Sequence, residues 1–304
     1  MNFRRTIFLV CTVFSIGLFS GGVLILSQHK EESKSDLEIR NNPVKIINRN
    51  TDNSDEIISN VNFLVLGLDE EETRSDVITL INYKPKTGKM KILSLARDTR
   101  VKLNGKYMKL NALYGNGGEK LIIEKVEEIT GLEIDYYMTL NFKGFREIVD
   151  TLGGVEINVP FNMNYDDPEQ NLHIHLKKGK QTLNGEKAEQ FVRYRKGNLK
   201  GQGYKDGDIG RIKTQQQFIH EFVKQKLKMK YLLKADDIFY ILKDNMKTNV
   251  EMGNIGNFAK IVRGINTEQI QSYTLPGYSS SIDNQWYYIY DRKKTRELIN
   301  NEFL

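Results

Sequence analysis

The chain has 304 residues, 39% of them hydrophobic and 28% charged, with a formal net charge of +6. That composition belongs to a folded protein able to bury a core without disulfides or a structural metal, not to a disordered chain. The basic excess is too small for an obligate nucleic-acid binder, and the single cysteine, Cys11, excludes an intramolecular disulfide and a cysteine-built metal site.

Residues 6–26, TIFLVCTVFSIGLFSGGVLIL, are uncharged and follow Arg4 and Arg5. About 20 such residues span a bilayer as a helix, and flanking basic residues stay in the cytoplasm. A cytoplasmic tail (1–5) and a transmembrane anchor (6–26) are therefore expected, with the rest of the chain outside the cell. No small-residue cleavage site precedes SQHKEESKSD, so the segment reads as an uncleaved signal-anchor. Residues 27–60 are polar and aperiodic and read as a tether. One folded domain, 61–304, follows.

Within it, NFLVLGLD (62–69) reads as a buried strand that delivers Asp69 at its end. VITLINYKPKTGKMKILSLARD reads as a hairpin around a Pro-Lys-Thr-Gly turn. Antiparallel pairing then brings Arg74 and Asp76, before its first strand, beside Arg97 and Asp98, after its second. Asp69 joins them if its strand runs parallel to the second hairpin strand. The spacing predicts a helix over 117–131 ending at Gly131, a strand at 136–141 and a helix over 142–154. VEINVP reads as a strand and LHIHLKKGKQTLNG as a strand and turn; Asn184 can cap the helix GEKAEQFVRYR. A long helix is expected from Arg211 to about Met229, then the strands IQSYTLPG and WYYIYD, and a last helix from Asp291. Strands alternating with helices predict a mixed α/β domain.

RYRKGNLKGQGYKDGDIGR (193–211) has almost nothing apolar to bury. Arg193 and Arg195 end one helix and Arg211 begins the next. Guanidinium forks suit phosphate oxygens, glycines let backbone amides approach, and a helix N-terminus adds dipole. The opposing reading is a solvated surface loop. Asp69, Asp76 and Asp208 are hard oxygen donors near these arginines; they read equally as magnesium ligands and as salt-bridge partners. His173 and His175 share one face of a strand, but no third zinc ligand is evident, so a structural or surface role is expected. Large apolar residues beside the loop are ordinary core, or line a slot for a lipid tail. No Walker loop, dinucleotide fingerprint, G-x-S-x-G or H-E-x-x-H motif is present.

FLVLGLDEEETRSDVITLI, KILSLARDTRV, KLNALYGNGG, FKGFREIVDTLGGVEINVP, GKQTLNGEKAEQFVRYR and GDIGRIKTQQQF, in this order, resemble the LytR-CpsA-Psr family of bacterial cell-surface proteins. The resemblance implies a single mixed-sheet domain with helices on both faces. It implies an extracytoplasmic transferase, in a cell envelope of Gram-positive type, that moves an anionic glycan such as teichoic acid or capsule from a polyprenyl-pyrophosphate carrier to peptidoglycan. Magnesium is the implied cofactor. By the same resemblance Asp69, Asp76 and Asp208 are metal-linked, and Arg74, Arg97, Arg193, Arg195 and Arg211, with Gln215, bind pyrophosphate. Arg97, Asp98 and Arg195 carry the chemistry, and the hydroxyl proton goes to Asp98 or to a metal-linked acid. The prenyl tail is expected between sheet and helices. Two departures stand out: the segment EEET between Asp69 and Arg74 is short, and Thr214 stands where relatives often have Arg, a contact that Lys213 or Lys205 could replace. The rival readings are a lipid-carrier binding protein, a pyrophosphatase, and a transcription attenuator.

Overall fold

Val61–Leu68 (β1) is buried at every position, because both of its faces are covered. Val61, Phe63 and Val65 enter one core; Leu64, Leu66 and Leu68, pointing the other way, enter a second. In the computed structural model, which describes residues 60–69, 71–168, 172–199, 202–204, 208–226, 234–250 and 269–304, β1 lies inside a six-stranded mixed sheet. The expected anchor, with Cys11, and all but the last residue of the tether lie outside the described residues. Among the described residues no helix is long and apolar enough to cross a membrane.

Ser75–Lys84 (β2) pairs antiparallel with β1 and with Lys89–Leu95 (β3), and Ile78 lies opposite Leu95. Tyr136–Asn141 (β6) runs parallel to β1, and Ile270–Thr274 (β12) parallel to β3. Met246–Thr248 (β11) closes the far edge against β6. β1, β3 and β6 thus end on the same side of the sheet, where α/β folds leave a crevice for ligands.

The first core is covered by Phe142–Thr151 (α2), Gly185–Arg193 (α3), Asp208–Lys226 (α4) and Ala235–Asn245 (α5). Leu113–Thr130 (α1) and the C-terminal turn Ile299–Phe303, which continues Arg292–Leu298 (α6), cover the second. The mixed α/β expectation holds, with helices on both faces. Asn184 accepts from Lys187 N–H at 3.0 Å and caps α3 as expected, and Gly131 ends α1 at φ 72°.

Several elements differ from the sequence reading. Arg100–Leu103 (β4) and Lys106–Lys109 (β5) form an unforeseen hairpin. LHIHLKKGKQTLNG holds two strands, not one: Leu172–Leu176 (β9) pairs with Met163–Asp167 (β8), and Gly179–Leu183 (β10) pairs with Val155–Val159 (β7). Gly277–Ile282 (β13) pairs with Gln285–Tyr290 (β14). The helix after the basic loop runs from Asp208 to Lys226, so it starts before Arg211, because the Gly-Arg pair continues a turn already begun. α1 starts at Leu113 and kinks at Gly117 and Gly118.

Gly154 links α2 to β7 with φ 72°, and a Cβ there would lie 2.7 Å from the Leu183 carbonyl oxygen. Both the backbone conformation and the contact demand glycine. Gly154→Ala should lower stability by roughly 1–3 kcal/mol, read as a lower urea midpoint at unchanged slope; an unchanged midpoint would mean that β7 and β10 can part freely.

Candidate active site

The loop after β1 is folded around Asp69. Thr73 and Arg74 N–H groups donate to Asp69 Oδ1 at 2.8 and 3.1 Å, and the Thr73 hydroxyl donates to Oδ2 at 3.1 Å. Asp69 N–H in turn donates to the Arg74 carbonyl at 3.0 Å. A short Asp-to-Arg loop is therefore self-supporting. Glu72, held at φ 51°, accepts from the Asn141 amide at 3.2 Å and pairs with Lys247 at 3.1 Å. Gly115 of α1 allows close approach on the other side, since a Cβ would sit 2.7 Å from the Thr73 carbonyl oxygen. Clamped this way, the loop carries Arg74 exposed into a cleft.

The hairpin register delivers the charge cluster that the sequence predicts. Arg97 donates to Asp76 Oδ1 at 2.6 Å, with the two side chains 25% and 15% exposed. Burial alone would raise the Asp76 carboxyl, but Arg97, Arg211 and Arg193 outweigh it and hold the group below its ordinary value. Asp98 is buried and pairs with Lys109 at 2.9 Å and with Arg195 at 3.7 Å. Arg193 donates to Glu189 Oε1 at 2.7 Å and lies over the Phe142 ring at 4.7 Å. Glu189 also holds Arg146. It is a site residue that sequence reasoning missed, although its place four residues before Arg193 on a helix was the available signal.

The described part of the basic loop is braced by its own contacts. Lys196 and Gly203 form an antiparallel bridge, and Tyr204 N–H donates to the Arg195 carbonyl at 3.2 Å. Tyr204 packs against Phe161 and Tyr194, with ring centroids 5.0 and 6.1 Å away. Asn198 accepts from the Asp166 N–H at 2.7 Å. Thr214 does not face an anion: it is buried, and its hydroxyl bonds to the Tyr204 hydroxyl. Through this contact the chain fastens the loop to α4. Lys205 lies outside the described residues, and Lys213 is exposed.

Two cavities meet at these arginines. An open cleft of about 1180 Å³ is lined by Arg74, Arg97, Asp98, Lys109 and Arg195, with aromatic residues from β5 and β14. A smaller one of about 110 Å³ is lined by Asp76, Arg97, Arg193, Arg195, Arg211 and Gln215, and by the apolar Phe142, Leu172 and Val192. Arg97, Arg195 and Lys196 border both. Gln215 also ties α4 to α3 through the Val192 carbonyl at 3.2 Å.

All five predicted arginines thus border one or other cavity, with Asp76, Asp98 and Gln215 among them. Asp69 stands behind, supporting the loop. Asp208 opens α4, but its side chain lies outside the described residues. Among the described residues no three acids or histidines gather to hold a metal. Asp76 on the smaller cavity and Asp69 behind the loop are hard oxygen donors of the kind magnesium takes, one or two at a time, with water and phosphate oxygens completing its shell. His173 and His175 are exposed and both contact Asp166 Oδ1, at 2.7 and 3.1 Å.

The LytR_cpsA_psr family model matches residues 22–303. The polyisoprenyl-teichoic acid–peptidoglycan teichoic acid transferase TagU of Bacillus cereus (strain ATCC 14579) is 30% identical over 311 residues, 98% of this chain and 96% of that protein. TagV of Bacillus subtilis (strain 168), of the same transferase name, is 31% identical over 224 residues, 70% of this chain but only 56% of TagV. The crystal structure of B. subtilis TagV matches with a TM-score of 0.65 at 28% identity, over 80% of this chain and 96% of that one. The structure described as TagT bound to LI-WTA matches at 0.61 and 25% identity, over 80% and 89%. Family match and shared fold agree: the chain belongs to the LytR-CpsA-Psr family.

Proposed function

We infer that the protein is a phosphotransferase that moves an anionic, teichoic-acid-type glycan from a polyprenyl-pyrophosphate carrier to peptidoglycan. The observation that carries this reading is the meeting of two unlike cavities at one set of arginines. A donor with a pyrophosphate between a glycan and a prenyl chain needs that arrangement: glycan in the open polar cleft, pyrophosphate on the guanidinium groups, chain toward Phe142, Leu172 and Val192. The small cavity is below the roughly 300–1000 Å³ of ordinary ligand pockets. It suits the mouth of the lipid path and no more; the space between sheet and helices is filled by packed core. The names of TagU and TagV, with a polyisoprenyl donor and a peptidoglycan acceptor, support the same assignment.

In the reaction, a peptidoglycan hydroxyl oxygen attacks the phosphorus that bears the glycan. The new P–O bond makes a phosphodiester, the P–O–P bridge breaks, and prenyl phosphate leaves with the bridging electron pair. Positioning and charge neutralisation do most of this work. Arg97 and Arg195, bordering both cavities, bind the bridge region. Arg193 and Arg211 hold the buried side, and Arg74 the open side. Asp98 lines the cleft, orients Arg195, and is the carboxylate we assign to the departing hydroxyl proton. Magnesium, held by Asp69 and Asp76, would neutralise phosphate charge. The uncharged segment 6–26 behind Arg4 and Arg5 supports a domain held outside the membrane, the side on which this reading needs its substrates.

Arg195→Ala should lower kcat/KM by at least about 10²-fold without shifting the unfolding midpoint, because its side chain is partly exposed. Arg97→Ala should lose transfer too and also cost on the order of 1–3 kcal/mol, since it strands Asp76; normal transfer in either variant would remove the site. Transfer should stop in EDTA and return with magnesium, and Asp69→Asn should raise the magnesium needed for half-maximal rate. Transfer indifferent to EDTA would exclude the metal.

The lowered Asp76 carboxyl also fixes an acid limb. Its stabilisation is complete above the unfolded value near pH 3.9 and is lost as pH falls through the lower folded value. Urea midpoints measured between pH 7 and pH 2.5 should fall at the acid end, and less steeply in Asp76→Asn. Equal acid limbs would show that the arginines do not hold Asp76 charged.

A further inference from the structure

Part of the cleft wall does not suit a phosphate. The β13–β14 hairpin offers it Tyr278, Ser279, Asn284, Gln285, Trp286 and Tyr287, which are rings, amides and hydroxyls without a charge. Trp286 is 59% exposed, Tyr278 62%, and Tyr107 of the neighbouring β4–β5 hairpin 53%. Rings left this open on a folded surface mark an interaction site.

The hairpin register shows why the rings stay open. Trp286 lies opposite Ser281, and Tyr287 opposite Ser280. Cross-strand partners ordinarily pack on one another, and serine is too small to cover an indole or a phenol. The rings are nonetheless fixed. The Arg100 guanidinium sits 3.6 Å from the Tyr107 centroid and 5.5 Å from that of Tyr287, bracing one hairpin against the other. Tyr288 N–H donates to the Asp98 carbonyl at 2.8 Å, so the aromatic strand is docked directly on the segment that carries Asp98.

We propose that this wall is the acceptor subsite, and that it binds the glycan strand of peptidoglycan. The proposal rests on the transferase reading and says where its acceptor lies. Pyranose rings present C–H faces that stack on aromatic π-faces, and amide side chains hydrogen-bond their hydroxyl and acetamido groups. The phosphate-bearing donor polymer would call for cations along the wall. β13 and β14 supply none; of this wall, Arg100 and Lys109 reach only the Tyr287 ring, at 5.5 and 6.0 Å from its centroid, and Arg74, Arg97 and Arg195 cluster elsewhere in the cleft. An acceptor strand laid over the rings brings its hydroxyl to the Asp98 end of the cleft.

Trp286 is the only tryptophan in the chain, so its emission reports this wall alone. The full-length protein in detergent is titrated with a soluble oligosaccharide of alternating N-acetylglucosamine and N-acetylmuramic acid. A saturable change in emission is expected. In transfer assays, Trp286→Ala and Tyr278→Ala should raise the acceptor KM at least 10-fold and leave the donor KM unchanged, while Trp286→Phe keeps most acceptor affinity. Saturable binding by a protein that never transfers would keep the subsite and sink the transferase reading. Transfer with an unchanged acceptor KM in Trp286→Ala would sink the subsite and keep the transferase. A raised donor KM would overturn the proposal in favour of the donor glycan.

Discussion

The Asp76–Arg97 pair is the constraint on which the site depends. Several guanidinium groups repel one another, and partial burial makes each costlier to leave uncompensated. The fold answers by giving three of these arginines an anion each from a different element: Asp76 from the start of β2 for Arg97, Asp98 from just after β3 for Arg195, and Glu189 from α3 for Arg193. None of these acids neutralises its partner's whole fork. An Arg fork carries five donors, more than a single carboxylate can take. A site organised this way is formed before substrate arrives, which is what electrostatic catalysis requires.

Because the ion pair sits at the open end of a hairpin, strand register is what protects it. A one-residue slip between β2 and β3 would turn every apolar side chain from one core into the other. With both faces covered, that slip is prohibitive, so the cores lock the position of Asp76 against Arg97. This explains why a catalytic arrangement can rest on the ends of strands and on short loops: the sheet supplies the precision, and Asp69 and Thr73 hold only a few residues beyond it.

That part was legible in the sequence for the same reason. Two apolar runs on either side of the Pro-Lys-Thr-Gly turn determine which strand ends meet, and the arginines and acids at those ends follow. The Asn184 cap and the Gly131 stop were legible too, since caps are local chemistry. What stayed hidden is non-local or short. The β4–β5 hairpin is only four residues a side, although its turn, Asn104 at φ 48° and Gly105 at φ 82°, carried the Asn-Gly signature. β13 is a Tyr-Ser-Ser-Ser run whose strand character comes from pairing with β14, not from its own residues. Lys247 on Glu72 joins positions 175 residues apart, and Lys109 reaches Asp98 only because the β4–β5 hairpin folds back, so no spacing rule announces them.

Two features beside the site share one physical trend. The short loop between Asp69 and Arg74 closes on its own aspartate and is latched from outside by Lys247, so it needs no further length. The hydroxyl of the buried Thr214 fastens Tyr204, and with it the loop that follows Arg195. Each contact adds restraint. A loop with many glycines loses much conformational freedom on ordering. Bridging Lys196 to Gly203 and clamping Tyr204 against Phe161 and Tyr194 settles that cost during folding, before any ligand binds. The binding energy of a pyrophosphate is then left for neutralising charge as the bridge breaks, the only part of it that speeds transfer.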